Sequence, residues 1–233
     1  IAFASTRKVE DRWRTDIYVL NPDLGNEKNL TRDLSSNILI QSGSITYSPD
    51  GMKIAFTTNH TQKDSHSYAD DLLYNDLWIM DAHGGNKMKL VEKIRSTEIA
   101  WSPDSKALAF SLEENDENMS RKENIYTVDV KNGNRKLLVR QETTDRITRI
   151  PSIPVWSPDG KLIAFTVLFS GLYLMNSDGT DKRKIGRRAD YCHFWSPDSK
   201  YLVCRDEPLY LTNADSPELL FYEYPDNKNR GIR

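Results

Sequence analysis

Cysteine is scarce in this sequence, with two residues in 233, and histidine occurs four times. Two cysteines leave the redox compartment open. No apolar run approaches the length of a membrane-spanning helix. Charge of either sign is nearly balanced at a net −2, so no global basic field points to nucleic acid. The chain has no Gly-x-Ser-x-Gly elbow, no His-Glu-x-x-His pair and no glycine-rich phosphate loop, so it offers little support for catalysis. No secretory leader is visible at the N-terminus. With 38% hydrophobic and 28% charged residues, the composition is that of an ordinary globular domain.

One short segment, by contrast, recurs four times. Tyr47-Ser48-Pro49-Asp50-Gly51 leads into Ile54-Ala55-Phe56. Trp101-Ser102-Pro103-Asp104-Ser105 leads into Leu108-Ala109-Phe110, and Trp156-Ser157-Pro158-Asp159-Gly160 into Ile163-Ala164-Phe165. Trp195-Ser196-Pro197-Asp198-Ser199 leads into Leu202-Val203-Cys204. Internal repetition of this kind fixes architecture before any other signal. Ser-Pro-Asp-Gly suits a type I turn, with proline presetting φ at the second corner. Serine replaces the last glycine twice, and if that corner needs positive φ, those two turns carry strain.

A second hairpin follows in each unit. Asp76 to Asp81, Asn124 to Asp129 and Gly171 to Asn176 read as strands, each followed by a turn containing Gly84, Gly133 or Gly179 and then another strand. A unit is therefore four antiparallel strands, A to D. Its apolar runs are nearly continuous rather than alternating, so both faces of each sheet are covered. That is the condition of a blade stacked between two others in a β-propeller.

The core Trp-Ser-Pro-Asp-Gly-Lys-x-Ile-Ala-Phe, followed by Leu-Tyr-Leu-Met-Asn-x-Asp-Gly, resembles the WD-like propeller repeat of TolB-type proteins. The same repeat occurs in propeller domains of prolyl-oligopeptidase-type and tricorn-type peptidases. The resemblance covers essentially the whole chain and is specific for fold, not for activity. It implies an all-β propeller of four-stranded antiparallel blades belonging to a six-bladed ring. It also implies a periplasmic or extracellular setting. The hydrolase domain of the peptidases has no counterpart here, so no catalytic residue carries over.

Five units are visible, spanning residues 1–35, 36–94, 95–150, 151–188 and 189–226, with a polar tail at 227–233. Ile1-Ala2-Phe3 aligns with Ile54-Ala55-Phe56, so the chain starts inside strand B and its first unit lacks strand A. This reads as a fragment, with either sequence missing upstream or a three-stranded first blade.

The A–B and C–D turns are short and repetitive, whereas the B–C and D–A connections vary. Function usually sits on irregular loops held by a rigid scaffold, so the B–C rim is the expected site. The first B–C loop is read as Thr6 to Arg14. It carries Arg12, Trp13 and Arg14, residue types common in interaction hot spots, although a tryptophan folded onto its own blade would look the same. The second holds His60, Asp64, His66, Asp70 and Asp71, whose spacing matches no metal motif and reads as a polar insertion. The third, Glu113 to Glu123, reads as a solvated acidic tip. Arg205 and Asp206 join the candidate set from the fifth. Cys192 and Cys204 come together across a hairpin, as buried thiols or as a cross-strand disulfide. No metal and no cofactor is expected. The leading expectation is a non-catalytic scaffold binding a protein or peptide partner, with no nucleic acid, no membrane span and an open oligomeric state. The alternatives are a substrate-gating propeller from a serine peptidase, or a glycan hydrolase or lyase with its site at the channel mouth.

Overall fold

The computed structural model describes residues 1–9, 12–20, 25–34, 40, 45–59, 75–94, 99–115, 121–140, 154–167, 171–186, 191–205, 210–213 and 219–221. Among them there is no helix; all regular structure is antiparallel sheet. The first sheet has three strands, β1 (Ala2–Val9), β2 (Arg12–Leu20) and β3 (Glu27–Asn29). Four four-stranded sheets follow. The second contains β4 (Thr46–Tyr47), β5 (Lys53–Asn59), β6 (Asn75–Asp81) and β7 (Met88–Ile94). The third contains β8 (Ala100–Trp101), β9 (Ala107–Asn115), β10 (Arg121–Asp129) and β11 (Arg135–Val139). The fourth contains β12 (Val155–Trp156), β13 (Leu162–Val167), β14 (Gly171–Asn176) and β15 (Arg183–Gly186). The fifth contains β16 (Tyr191–Trp195), β17 (Tyr201–Arg205), β18 (Tyr210–Asn213) and β19 (Leu219–Phe221). Each sheet is one repeat unit with its strands in chain order.

The Ile-Ala-Phe run explains how the blades stack. Successive residues of a strand point to opposite faces. Ile54 and Phe56 pack with Ile17 and Leu30 of the first blade, while Ala55 between them packs into the core shared with the third. Leu108 and Phe110 likewise face the second blade, and Ile163 and Phe165 face the third. Ala164 joins a core with Leu202 of the fifth. The bulky pair thus fills the interface behind, and the alanine leaves room for the blade ahead. Each phenylalanine also stacks on its cross-strand partner: Phe3 on Tyr18, Phe56 on Trp78, Phe110 on Tyr126 and Phe165 on Tyr173, with centroids 5.5–6.2 Å apart.

All four Ser-Pro-Asp turns close in the same way. The last residue's amide donates to the serine carbonyl at 2.8–2.9 Å. The serine hydroxyl donates to the aspartate carboxylate at 2.5–2.7 Å. That hydroxyl is the main reason Asp50, Asp104, Asp159 and Asp198 all lie below the usual carboxylate range. The final corner has φ of 72° at Gly51 and 73° at Gly160, and 62° at Ser105 and 61° at Ser199. The two serines therefore sit in the left-handed region that favours glycine. Each also makes a bond that glycine could not. Ser105 Oγ accepts the Asp50 amide at 3.1 Å, and Ser199 Oγ accepts the Asp159 amide at 3.0 Å. Both bonds tie one blade's turn to that of the blade before it.

The strand-A tryptophans add a second tie at the same interfaces. Trp101 Nε1 donates to the Thr46 carbonyl at 3.3 Å, and Trp195 Nε1 to the Val155 carbonyl at 3.1 Å. Trp156 Nε1, in the blade between, is buried without a hydrogen-bond partner. Trp101→Phe and Trp195→Phe are therefore expected to cost about 1 kcal/mol more than Trp156→Phe. The first two orphan a carbonyl, whereas the third removes an orphaned donor. Urea denaturation of the three variants measures this, and equal losses would rule the ties out as stabilising contacts.

Two B–C segments read as loops are largely strand. β1 and β2 pair from Ala2↔Val19 to Val9↔Arg12, so Arg12, Trp13 and Arg14 open a strand. β9 and β10 pair out to Asn115↔Arg121, which takes most of the acidic segment into a hairpin. The polar pairs Ser5↔Asp16, Thr6↔Thr15 and Glu114↔Lys122 satisfy their backbones through the ladder. Low hydrophobicity at the open end of a blade therefore did not mean loop.

Candidate functional site

The described part of the B–C rim is built where strand B passes into strand C in the first three blades. In the first blade Arg14 turns inward. Its Nε pairs with Asp16 at 2.9 Å, and its Nη2 donates to the carbonyls of Thr31 at 2.7 Å and Leu34 at 3.2 Å. Asp16, buried, also accepts the Thr31 hydroxyl at 2.8 Å. Thr31 Oγ1 in turn accepts the Ile17 amide at 3.0 Å. This network clasps the chain after β3 back onto β2. Arg14 is committed within the protein rather than offered to a partner. Arg12 and Trp13 lie beside it on β2, with backbones opposite Val9 and Lys8.

In the second blade Asp76 and Asn75 open β6 beside the long insertion. Lys89 Nζ reaches Asp76 at 3.0 Å and Glu92 at 3.0 Å, and lies 5.5 Å from the centre of the Trp78 ring. Burial alone would lower the Lys89 pKa, but the bonds to Asp76 and Glu92 outweigh it and raise it. Trp78 Nε1 donates to Thr58 at 3.1 Å. The β6–β7 ladder slips between Asn75 and Trp78, and Lys93 there has a φ of 56° with its amide donating to Asp76 at 3.2 Å. Asn75 Oδ1 is buried with no hydrogen-bond partner. A strained residue and an orphaned acceptor at one edge are what a functional rim often retains.

In the third blade Ser111 donates to the buried Glu123 at 2.9 Å. Glu114 accepts the Tyr126 hydroxyl at 2.6 Å and the Asn124 amide at 3.0 Å. Burial and the Glu114 bond raise the Tyr126 pKa. A serine facing a carboxylate is a minimal nucleophile–base contact, but both groups are buried and bonded to each other. Among the described residues no cluster of three or more His, Cys, Asp or Glu could hold a metal ion.

The candidates from sequence thus divide. Arg12, Trp13 and Arg14 share the first blade's hairpin. Arg205 ends β17, paired through its backbone with Tyr191. His60, His66, Asp70, Asp71 and Asp206 lie outside the described residues. Cys192 and Cys204 are backbone partners on β16 and β17, in keeping with the expected hairpin. Sequence reading passed over Asn75, Asp76, Lys89 and Lys93. An aspartate takes the same place in strand C of the first two blades, Asp16 before Ile17-Tyr18 and Asp76 before Leu77-Trp78, and that recurrence was the available signal.

No family model matches the chain. Over 125 residues, 52% of this chain and 16% of that protein, it is 28% identical to the uncharacterized peptidase YuxL of Bacillus subtilis. Among solved structures it resembles TolB from Acinetobacter baumannii with a TM-score of 0.59 and 17% identity, over 94% of this chain and 52% of TolB. It also resembles the β-propeller domain of the Trilobed protease from Pyrococcus furiosus, which has an open velcro topology. There the TM-score is 0.61 and the identity 16%, over 100% of this chain and 70% of that one. These likenesses establish an all-β propeller fold of the kind shared by TolB and peptidase propellers. The chain spans about half the length of TolB and a small part of the peptidase.

Proposed function

We propose that this propeller is a non-catalytic module that binds a protein or peptide partner through its B–C rim, in an envelope or extracellular setting. One observation carries the reading. The described polar groups of the rim close on one another, as Arg14 with Asp16, Lys89 with Asp76 and Ser111 with Glu123, and not around an open nucleophile or metal cluster. We assign recognition to the basic hairpin with Arg12 and Trp13, the acidic hairpin of the third blade, Arg205 at the end of β17, Asp206, and the second unit's insertion carrying His60, His66, Asp70 and Asp71. A photo-crosslinking residue at position 13 is expected to trap the partner, and the same residue at the exposed Met52 of an A–B turn is not. Crosslinks at Met52 alone would place binding on the opposite rim and end this reading.

The similarity to a Bacillus peptidase and to the Trilobed protease propeller favours a second reading, a substrate-gating propeller of a serine peptidase. Peptide mapping of the native protein separates the two, because only the second reading expects a hydrolase module with its own nucleophilic serine beside the propeller.

A further inference from the structure

The junction of the first two blades holds a feature on the C–D rim, opposite the proposed binding face. Lys28, Arg32, His83 and Lys87 line an open cavity of about 410 Å³ together with Asp33, Gly84 and Gly85. The lysines are held largely by neutral acceptors. Lys28 Nζ donates to the His83 carbonyl at 3.0 Å, and Lys87 Nζ donates to the Gly84 carbonyl. Lys87 also pairs with Asp33 at 2.9 Å. Arg32 is exposed and pairs with no carboxylate among the described residues. Three permanent cations thus line the cavity with one carboxylate, Asp33, while the other acid of this turn, Asp81, is bonded to Asn86 and Lys53.

The repeat supplies an internal control. Gly84 is pressed against Leu30, where a Cβ would come within 3.1 Å, and Gly179 is pressed against Leu138, where it would come within 3.2 Å. The two C–D turns therefore seat on the preceding blade alike, which places Lys28 in register with Lys136 and His83 with Asp178. At the later junction the turn carries its own acid. The Thr180 hydroxyl, aided by the charge of Lys136, holds Asp178 below the usual carboxylate range. At the earlier junction histidine stands in that place, and the turn's acid is Asp81, which takes the position of Asn176 and is engaged by Lys53 and Asn86.

We infer that the junction of blades one and two binds a small multivalent anion bearing carboxylates or phosphates, which supplies the negative charge that Asp178 supplies between blades three and four. Cations grouped at a cavity bordered by glycine backbone suit such a ligand, because charge-assisted hydrogen bonds are the strong ones.

The test is a titration of isotopically labelled protein with citrate and with pyrophosphate at constant ionic strength, followed at the Gly84 and Gly85 amides. Saturable shifts are expected with at least one of the two, and the one that saturates assigns the head group. His83→Asp restores the acid of the later turn and is expected to weaken binding about tenfold, as an added like charge should. Arg32→Gln is expected to weaken it severalfold, and Lys136→Gln to leave it unchanged. His83→Asp keeps the turn chemistry that Asp178 already tolerates, so its effect is not one of misfolding. Unsaturable shifts with both anions, or His83→Asp binding as tightly as the parent, would overturn the proposal.

Discussion

Asp16→Ala is expected to lower the stability of the first blade by about 3 kcal/mol, the cost of removing one partner from a buried ion pair. The Arg14 and Asp16 side chains are only 15% and 8% exposed. Removing the carboxylate strands a guanidinium and the Thr31 hydroxyl together. Arg14→Met should cost somewhat less, since Asp16 keeps the Thr31 bond. The double variant should be destabilised by about 2 kcal/mol less than the sum of the single ones, because the partners are coupled. The contrast is Arg7 with Glu27, paired at 2.7 Å but 45% and 43% exposed. Glu27→Gln should leave stability nearly unchanged, because solvent screens an exposed pair. Because the network joins only the first sheet and the segment after it, the loss should appear as local opening. Hydrogen exchange at the Ile17 and Leu30 amides reads it out, since the first donates to Thr31 Oγ1 and the second to the Ile17 carbonyl. An Asp16→Ala protein whose Ile17 and Leu30 amides stay as protected as in the parent would show that the clasp is ornamental.

The propeller was legible because its signals are local and repeated. Ser-Pro-Asp sets a turn from its own side chains, and Ile-Ala-Phe sets a two-faced strand from its own alternation. Neither needs knowledge of a distant residue. The ties between blades were not legible. Ser105 and Ser199 looked only like strained substitutes for glycine, because the Asp50 and Asp159 amides they receive lie in another repeat. The bond from the Trp101 indole to Thr46 crosses the same gap. The rim misled for a different reason. Serine, threonine and arginine are polar whether or not they pair, so a hydrophobicity pattern breaks off at Ser5 and Ser111 while the ladder continues to Val9 and Asn115. Arg14 belongs to both failures. Its type and place pointed outward to a partner, whereas Asp16, two residues on along the same strand, turns it inward.

The larger expected effect lies at the centre of the stack. Phe110→Ala should cost about 3–5 kcal/mol, the range for emptying a buried phenylalanine site that cannot collapse. The ring is fully buried, and it stacks on Tyr126 with centroids 6.1 Å apart. It belongs to one core with Leu77, Ile79, Val91 and Ile94 of the second blade and Leu108, Leu112 and Val128 of its own. Sheet ladders on both sides hold the cavity open, since a strand cannot move inward without breaking its hydrogen bonds. Phe3→Ala supplies the comparison. Phe3 occupies the same repeat position and stacks on Tyr18 at 5.9 Å, but it is only half-buried. It should cost no more than about half as much, because the transfer term is smaller. Thermal and urea unfolding of the two variants decide the matter. Equal losses would mean that the phenylalanine works mainly through its cross-strand aromatic partner, inside a single blade. A large gap would mean that it works as the contact that makes one blade depend on the blade before it. In that case unfolding of Phe110→Ala should divide into two transitions at the interface between the second and third blades.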